Sequence, residues 1–201
     1  PIHIHIRLHT LDSLRYRNYR LFWFSTLSMS AGTWVHELVI GWLTYDLTRS
    51  PLLTSIALGL GALPYLLVAP LGGVLADRFD RRKVLVVNSI YQAALTAGFS
   101  TLVVMGAAEA WHIFAFILGV GVSWAIHDPT RVAIVPNTVP KQNLVNAFAL
   151  NGLAFNASRL AVPAVAGMLI ALLGPGSTLY LASALFLGGA AAVLRMELTR
   201  G

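Results

Sequence analysis

The sequence has 201 residues, of which 57% are hydrophobic and 11% are charged, whereas a soluble domain carries roughly 25% charged residues. So few charges exclude an ordinary water-soluble domain. The net charge of +6 does not indicate a nucleic-acid-binding surface, because the basic residues lie between apolar blocks. The absence of cysteine excludes a disulfide framework and a thiolate metal site.

Six apolar blocks follow one another along the chain. At about 1.5 Å per residue each can cross a hydrocarbon core of roughly 30 Å, the last one only just. We therefore predict an all-α membrane protein of six transmembrane helices. Residues 21–195 form the membrane domain, 1–20 a cytoplasmic segment, and 196–201 a cytoplasmic end or the start of a linker. The predicted spans are Leu21–Tyr45, Leu52–Ala76, Val84–Gly106, Trp111–Val135, Leu144–Leu173 and Ser177–Leu194.

Helix breakers separate these spans. Ser50 and Pro51 suit the N-cap and the first position of the second helix. Pro140 precedes the fifth span, and Gly174-Pro175-Gly176 predicts a tight turn before the sixth. Within the spans, small residues would let neighbouring helices approach closely: Gly59, Gly61, Ala94, Gly98, Gly119, Gly121, Gly188 and Gly189.

Lys and Arg are distributed unequally between the two sides of the predicted membrane. With the N-terminus inside, twelve fall on the cytoplasmic side and only Arg49 on the other, while Arg159 lies within a span. Short cytoplasmic loops carry such an excess, so both termini are expected in the cytoplasm. The twelve are Arg7, Arg15, Arg17, Arg20, Arg78, Arg81, Arg82, Lys83, Arg131, Lys141, Arg195 and Arg200.

The loop between the second and third spans combines an acid with several arginines. An acid at a helix end can form charge-assisted bonds with neighbouring helix termini, and so hold one conformation and release another. A basic loop that serves only membrane orientation would explain the arginines but not the spacing from Gly73 to Asp77. The loop reads Gly73-x-Leu75-Ala76-Asp77-Arg78-x-Asp80-Arg81-Arg82-x-x-Leu85.

This loop resembles the signature of the major facilitator superfamily, G-x-L-A-D-R-x-G-R-K-x-x-L. Seven positions match, Arg82 stands for the lysine and Asp80 for the second glycine. Asp tolerates a bend and can N-cap the third helix. A second stretch agrees with the resemblance and is similar to the branch that includes enterobactin-exporter-like efflux proteins: Asp128-Pro129-Thr130-Arg131, Val135-Pro136, Asn146-Ala147, and Arg159 through Pro163 to Gly167.

We predict that these two stretches form a conformational gate near the cytoplasmic surface. Asp128 precedes a proline, which disfavours helical geometry and predicts a bend there. Asp128 is then expected to meet Arg131 or the arginines that follow Asp77. The gate residues are Gly73, Asp77, Arg78, Arg81, Arg82, Asp128 and Arg131.

Polar residues within the spans are candidates for a transport cavity. A charge at the bilayer centre costs at least about 2.5–3.5 kcal/mol, so it should face the bundle interior or a wet cavity. Glu37 and Arg159 lie at equal depths in spans that run the same way, which predicts an ion pair serving as a static strut or a substrate- and proton-responsive site. His36, Asn151 and Asn156 complete the set of candidate polar cavity residues, and Pro163 is expected to bend the fifth helix.

The resemblance implies the N-terminal half of a secondary transporter in a bacterial plasma membrane, an exporter of small amphipathic compounds. It implies a lipid bilayer, a small-molecule substrate, protons as a candidate coupling ion and either a C-terminal half or a second copy as partners. No enzyme motif, cofactor site, metal site or nucleic-acid partner is predicted. The alternatives are a non-transporting six-helix remnant or scaffold, and a half-size transporter that acts as a dimer.

Overall fold

The computed structural model describes residues 11–197. Arg7 and Arg200, which contribute to the charge asymmetry, lie outside them. The described chain is all helical: α1 (Arg17–Thr48), α2 (Pro51–Leu60), α3 (Ala62–Arg78), α4 (Arg81–Val104), α5 (Ala110–Ile134) and α6 (Leu144–Leu194). Short 3-10 turns cover Asp12–Arg15, Val135–Asn137 and Lys141–Asn143.

Two predicted helix starts are confirmed by their caps. The Ser50 hydroxyl accepts a hydrogen bond from the Leu53 amide at 3.2 Å, with Pro51 at the first helical position. The Asp80 carboxylate accepts one from the Arg82 amide at 3.0 Å. Each cap satisfies a backbone donor that the first helical turn would otherwise leave unpaired.

α6 is a helical hairpin rather than one rod, because Gly174 inside it has non-helical angles, with φ 82° and ψ 166°. The Tyr19 hydroxyl donates to the Ala147 carbonyl at 2.7 Å, and the Glu197 amide donates to the Asn18 side chain at 3.0 Å. Both ends of α6 therefore lie at the N-terminal end of α1. The predicted turn at Gly174 is confirmed, and we call residues 144–173 the first arm and 175–194 the second arm.

α1 packs along both arms of α6, α4 packs on the second arm, and α3 packs on α5. The backbones of α3 and α5 nearly touch, since a Cβ built on Gly72 would lie 2.1 Å from the Ala125 carbonyl oxygen. Gly121 makes a similar approach, 2.5 Å from the Gly61 carbonyl oxygen. Of the small residues expected to allow close packing, Gly59 and Gly98 face open space instead.

The outer surface is apolar, as expected for contact with lipid. Leu66, Leu160 and Leu172 are 71%, 83% and 77% exposed, and large apolar patches of this kind do not persist against water. By length and hydropathy, three segments qualify as membrane-crossing: Pro51–Arg78, Ala110–Asn137 and Lys141–Leu194. The described chain is thus an all-helical membrane protein.

Candidate functional site

Arg81 ties the C-terminal ends of α3 and α5 together. Its Nε donates to the Ala76 carbonyl at 3.2 Å, and its Nη1 donates to the Ala133 carbonyl at 2.7 Å and to Asn137 Oδ1 at 2.9 Å. A guanidinium suits this position because its planar fork can serve several acceptors at once. The contacts join the loop to the end of α5, while Asn137 is a partner that the sequence did not indicate.

Arg82 binds the end of the second arm of α6. Its Nε donates to the Val193 carbonyl at 3.1 Å, and Nη2 bonds the Leu194 carbonyl. The last carbonyls of a helix have no partners in the helix and carry its partial negative charge, so a cation is favoured there. The two neighbouring arginines therefore anchor two different helices.

Asp77 lacks the expected contacts. Asp77 and Arg78 are exposed, and within residues 11–197 neither side chain forms an ion pair with the other gate residues. Gly73 has open space where a Cβ would be built. The structure therefore brings Arg81 to α5 but leaves the carboxylate of Asp77 unpaired in the part of the chain it describes.

Asp128 lies in the cavity wall with two partners. Arg131 Nη2 donates to its Oδ1 at 3.2 Å, and the Tyr65 hydroxyl donates to its Oδ2 at 3.3 Å. The contact with Arg131 is one of the two that the sequence predicted. α5 continues through Pro129 to Ile134, so the proline does not end the helix, and the bend expected at Asp128 stays a prediction. Tyr65 was missed because it lies in an apolar run.

A cavity of about 460 Å³ opens between α1, α2, α3, α5 and the first arm of α6. Aromatic rings form much of its wall: Trp34, Tyr65, Phe116, Trp124 and Phe155. Its polar lining is Thr33, His36, Glu37, Asp128 and Arg131. Cavities of roughly 300–1,000 Å³ with apolar walls and a few convergent polar groups are typical small-molecule sites.

The predicted Glu37–Arg159 ion pair is not formed. Arg159 lies instead over the indole of Trp34, with its Cζ 5.6 Å from the ring centroid. Glu37 lines the cavity, and none of the ion pairs within the described residues includes it. Counting residues fixed the depth of the two side chains, but their direction around each helix axis depends on packing.

The other candidate polar residues are dispersed. His36 is 3% exposed, and its ring centroid lies 5.9 Å from that of Phe116. Asn151 is buried, whereas Asn156 donates to the Gly152 carbonyl of its own helix at 2.9 Å. Pro163 lies within the first arm, and the one residue of α6 with non-helical backbone angles is Gly174, so the bend expected at Pro163 stays a prediction.

Comparison with known proteins gives three informative relatives, all bacterial. The MFS-type transporter YfiS of Bacillus subtilis is 28% identical over 160 residues, covering 79% of this chain and 37% of the relative. Macrolide efflux protein A of Streptococcus pyogenes is 26% identical over 160 residues, covering 77% of this chain and 39% of the relative. Multidrug efflux pump Tap of Mycolicibacterium fortuitum is 26% identical over 184 residues, covering 87% of this chain and 44% of the relative.

The chain spans less than half the length of each of these relatives. The sequence model of the transmembrane secretion effector family matches residues 9–200, nearly the whole chain. Together with the apolar helices and the loop signature, this match identifies the protein at the family level. The chain belongs to the transmembrane secretion effector family of major facilitator superfamily transporters.

Proposed function

We propose that the chain is the N-terminal six-helix half of a secondary active exporter in a bacterial plasma membrane. The exporter carries small amphipathic compounds by alternating access, and belongs to the enterobactin-exporter-like efflux branch. The observation that carries the proposal is the cavity, in which aromatic walls surround Glu37 and the Asp128–Arg131 pair. The names of two relatives, a macrolide efflux protein and a multidrug efflux pump, support export as the direction.

In this proposal the membrane domain is residues 21–195, with both ends in the cytoplasm. The six crossings are α1, α2 with α3, α4, α5 and the two arms of α6. The proposal is supported by the reversal at Gly174 and by the twelve-to-one asymmetry of basic residues. α1 and α4 fall below the hydropathy of the other segments because they carry polar side chains such as Asn88 and Gln92.

The orientation can be tested directly, because the chain contains no cysteine. Single cysteines introduced as Gly106→Cys and Lys141→Cys report opposite ends of α5. A membrane-impermeant thiol reagent applied to intact cells should label the first and leave the second unlabelled until the cells are opened. The reverse pattern would overturn the proposed orientation.

Glu37 is the residue through which we expect substrate or protons to act. Its carboxylate lines the cavity without an ion-pair partner among the described residues, so it is available to a cationic amphipathic substrate or to a proton. Tyr65 and Arg131 hold the second carboxylate, that of Asp128, in place. We expect the two acids to serve different purposes, substrate or proton binding for Glu37 and wall structure for Asp128.

The experiment is efflux of a fluorescent amphipathic cation from cells that express the full transporter. Glu37→Gln should lower proton-driven efflux by about tenfold or more, which corresponds to ~1.4 kcal/mol of lost interaction. Asp46→Asn is the matched control, because Asp46 is also on α1 but pairs with Arg49 outside the cavity. Unchanged efflux and unchanged proton coupling in Glu37→Gln would contradict the assignment.

We further propose that the loop acts as the inner gate. Arg81 and Arg82 fix the ends of α5 and α6, while the unpaired Asp77 is free to engage the other half of the transporter. Asp77→Asn should therefore reduce transport but leave the thermal stability of this half unchanged, since the Asp77 side chain has no ion pair to lose within residues 11–197. Full transport by Asp77→Asn would refute the gate.

A further inference from the structure

Buried polar atoms accumulate in the interior of the helical bundle, away from the cavity wall formed by Glu37. Nine side-chain nitrogen and oxygen atoms there have no hydrogen-bond partner among the described residues. They belong to four helices. The residues are Thr26 and Ser30 of α1, Asn88, Gln92 and Thr96 of α4, His127 and Arg131 of α5, and Asn151 of the first arm of α6.

The side chains of this set are almost completely buried. Apart from Arg131, whose side chain is 18% exposed, all of them are 0–7% exposed. A buried polar atom without a partner costs about 1–3 kcal/mol, so nine of them in one dry interior would exceed the whole stability of a typical domain. These atoms must therefore bind something.

The contacts of the second arm place the α1 members within the range of depth that Asn88, Gln92 and Thr96 span on α4, about 12 Å. The Ser28 hydroxyl of α1 bonds the Leu185 carbonyl, and the Ser183 hydroxyl bonds the Ala93 carbonyl of α4. Ser28 and Ala93 therefore lie at neighbouring levels of the same arm. Thr26 and Ser30 flank the first of these levels, and Gln92 lies one residue before the second.

His127 of α5 and Asn151 of α6 lie close to the levels of the α1 and α4 members, and Arg131 lies one helical turn beyond His127. α4 and α5 run antiparallel, with Arg81 bonded to the Ala133 carbonyl at one end and Phe99 stacked on Phe116 at the other. Asn88 lies seven residues after Arg81 on α4, and His127 lies six residues before Ala133 on α5, so these two residues are at the same level. Asn151 follows Leu150, whose carbonyl accepts from the Trp23 indole of α1 at 3.0 Å. The set thus runs along the bundle over about 18 Å, from Arg131 at one end to Thr96 at the other, with members on all four helices, and we call it the polar layer.

We propose that this polar layer is an internal binding site for water. Buried waters typically make about three hydrogen bonds each to otherwise unpaired groups, so at least about three waters, spread along the layer, are needed to satisfy the nine atoms. The set contains both donors and acceptors, as water needs: amide nitrogens of Asn88 and Gln92, and oxygens of Thr26, Thr96 and Asn151. It contains no carboxylate, which argues against a divalent cation.

The layer communicates with the transport cavity through one side chain. Arg131 lines the cavity, and its Nε is one of the nine unpartnered atoms. His127 lies one helical turn earlier on the same face of α5 and carries another, Nδ1. Water can therefore pass along this face of α5, from the cavity wall into the space between the helices. This inference does not depend on the transported substrate.

The test uses the rate at which a buried thiol exchanges its hydrogen with heavy water, read from its S–H infrared band in the purified transporter. Ser30→Cys places a thiol in the polar layer. Ser183→Cys is the matched control, because Ser183 is also buried but its hydroxyl already bonds the Ala93 carbonyl at 2.7 Å. We expect the thiol at position 30 to exchange at least about tenfold faster. Equal or slower exchange would overturn the proposal.

A second measurement needs no substitution. Hydroxyl radicals generated by X-ray radiolysis label side chains beside bound water even where bulk solvent does not reach. His127, 7% exposed, should be labelled promptly, while Phe186, 1% exposed in the apolar cluster, should not. An unlabelled His127 would mean that the layer is dry and that its polar groups pair directly with one another.

Discussion

Replacing Gly72 by alanine should destabilise the protein, whereas the same change at Gly73 should not. A Cβ on Gly72 would lie 2.1 Å from the Ala125 carbonyl oxygen and 3.1 Å from the Ile126 Cα. Both are backbone atoms, so no side-chain rotation can relieve the clash. To restore ordinary contact, α3 and α5 must separate by more than about 1 Å, in a region where packing is close to crystal density.

The magnitude follows from two opposing effects. Overpacking of this kind costs about 1–3 kcal/mol, and alanine recovers up to about 1 kcal/mol of helix propensity relative to glycine. At Gly73 a Cβ meets nothing within 4 Å, so only the gain remains. Because the gain in helix propensity is common to both variants, they should differ by the overpacking cost, about 1–3 kcal/mol in free energy of unfolding, or roughly 2–12 °C in unfolding temperature.

Thermal unfolding of the purified variants in the same detergent, followed by the loss of the monodisperse species, measures this difference. The comparison is well controlled because the two glycines are adjacent in one helix and differ only in the face they present. Equal unfolding temperatures, or a less stable Gly73→Ala, would refute the argument that α3 and α5 touch through Gly72.

Three further outcomes follow from the structure. Arg81→Ala should lower the free energy of unfolding by about 1.5–3 kcal/mol for each charged hydrogen bond lost, which thermal unfolding measures. Arg78→Ala, at an exposed side chain, should change the free energy of unfolding little. Gly174→Ala forces a side chain into φ 82°, ψ 166°, a region that almost only glycine adopts, at a cost of about 1–3 kcal/mol, which limited proteolysis of the α6 turn should detect. Arg17, by hydrogen bond and charge, lowers the pKa of the Glu197 carboxyl below 4.5. A double-mutant cycle with Arg17→Gln and Glu197→Gln measures the interaction free energy of the two side chains. This interaction free energy should be present above pH 4.5 and vanish as the pH falls through the lowered pKa. Added salt should also weaken it.

Sequence reasoning succeeded where a single local rule decides the structure. Ser50 and Asp80 cap helices because their side chains reach an amide two or three residues ahead, a relation that can be read along the chain. Gly174 reverses the chain because it precedes a proline and can adopt a positive φ. None of these depends on which helices are neighbours.

It failed where two distant segments must be brought together. Depth along the membrane follows from the rise per residue, so Glu37 and Arg159 were placed at matching heights. Their directions depend on how α1 and the first arm rotate against each other, and Arg159 turns to Trp34 instead. The Tyr65–Asp128 bond was missed for a related reason: in an apolar run, tyrosine cannot be distinguished from a packing residue until its neighbour is known.

The packing of α1 on both arms of α6 has a consequence for the order of assembly during synthesis. Tyr19 bonds a residue 128 positions later, and Asn18 one 179 positions later. α1 is made early, yet its partners in and after α6 are made only between residues 147 and 197, and such long-range contacts form late. Until then Asn18, Tyr19 and Ser28 lack their native hydrogen-bond partners. An arrest of translation before the second arm should leave a chain that membrane proteases recognise, and release of the arrest should protect it.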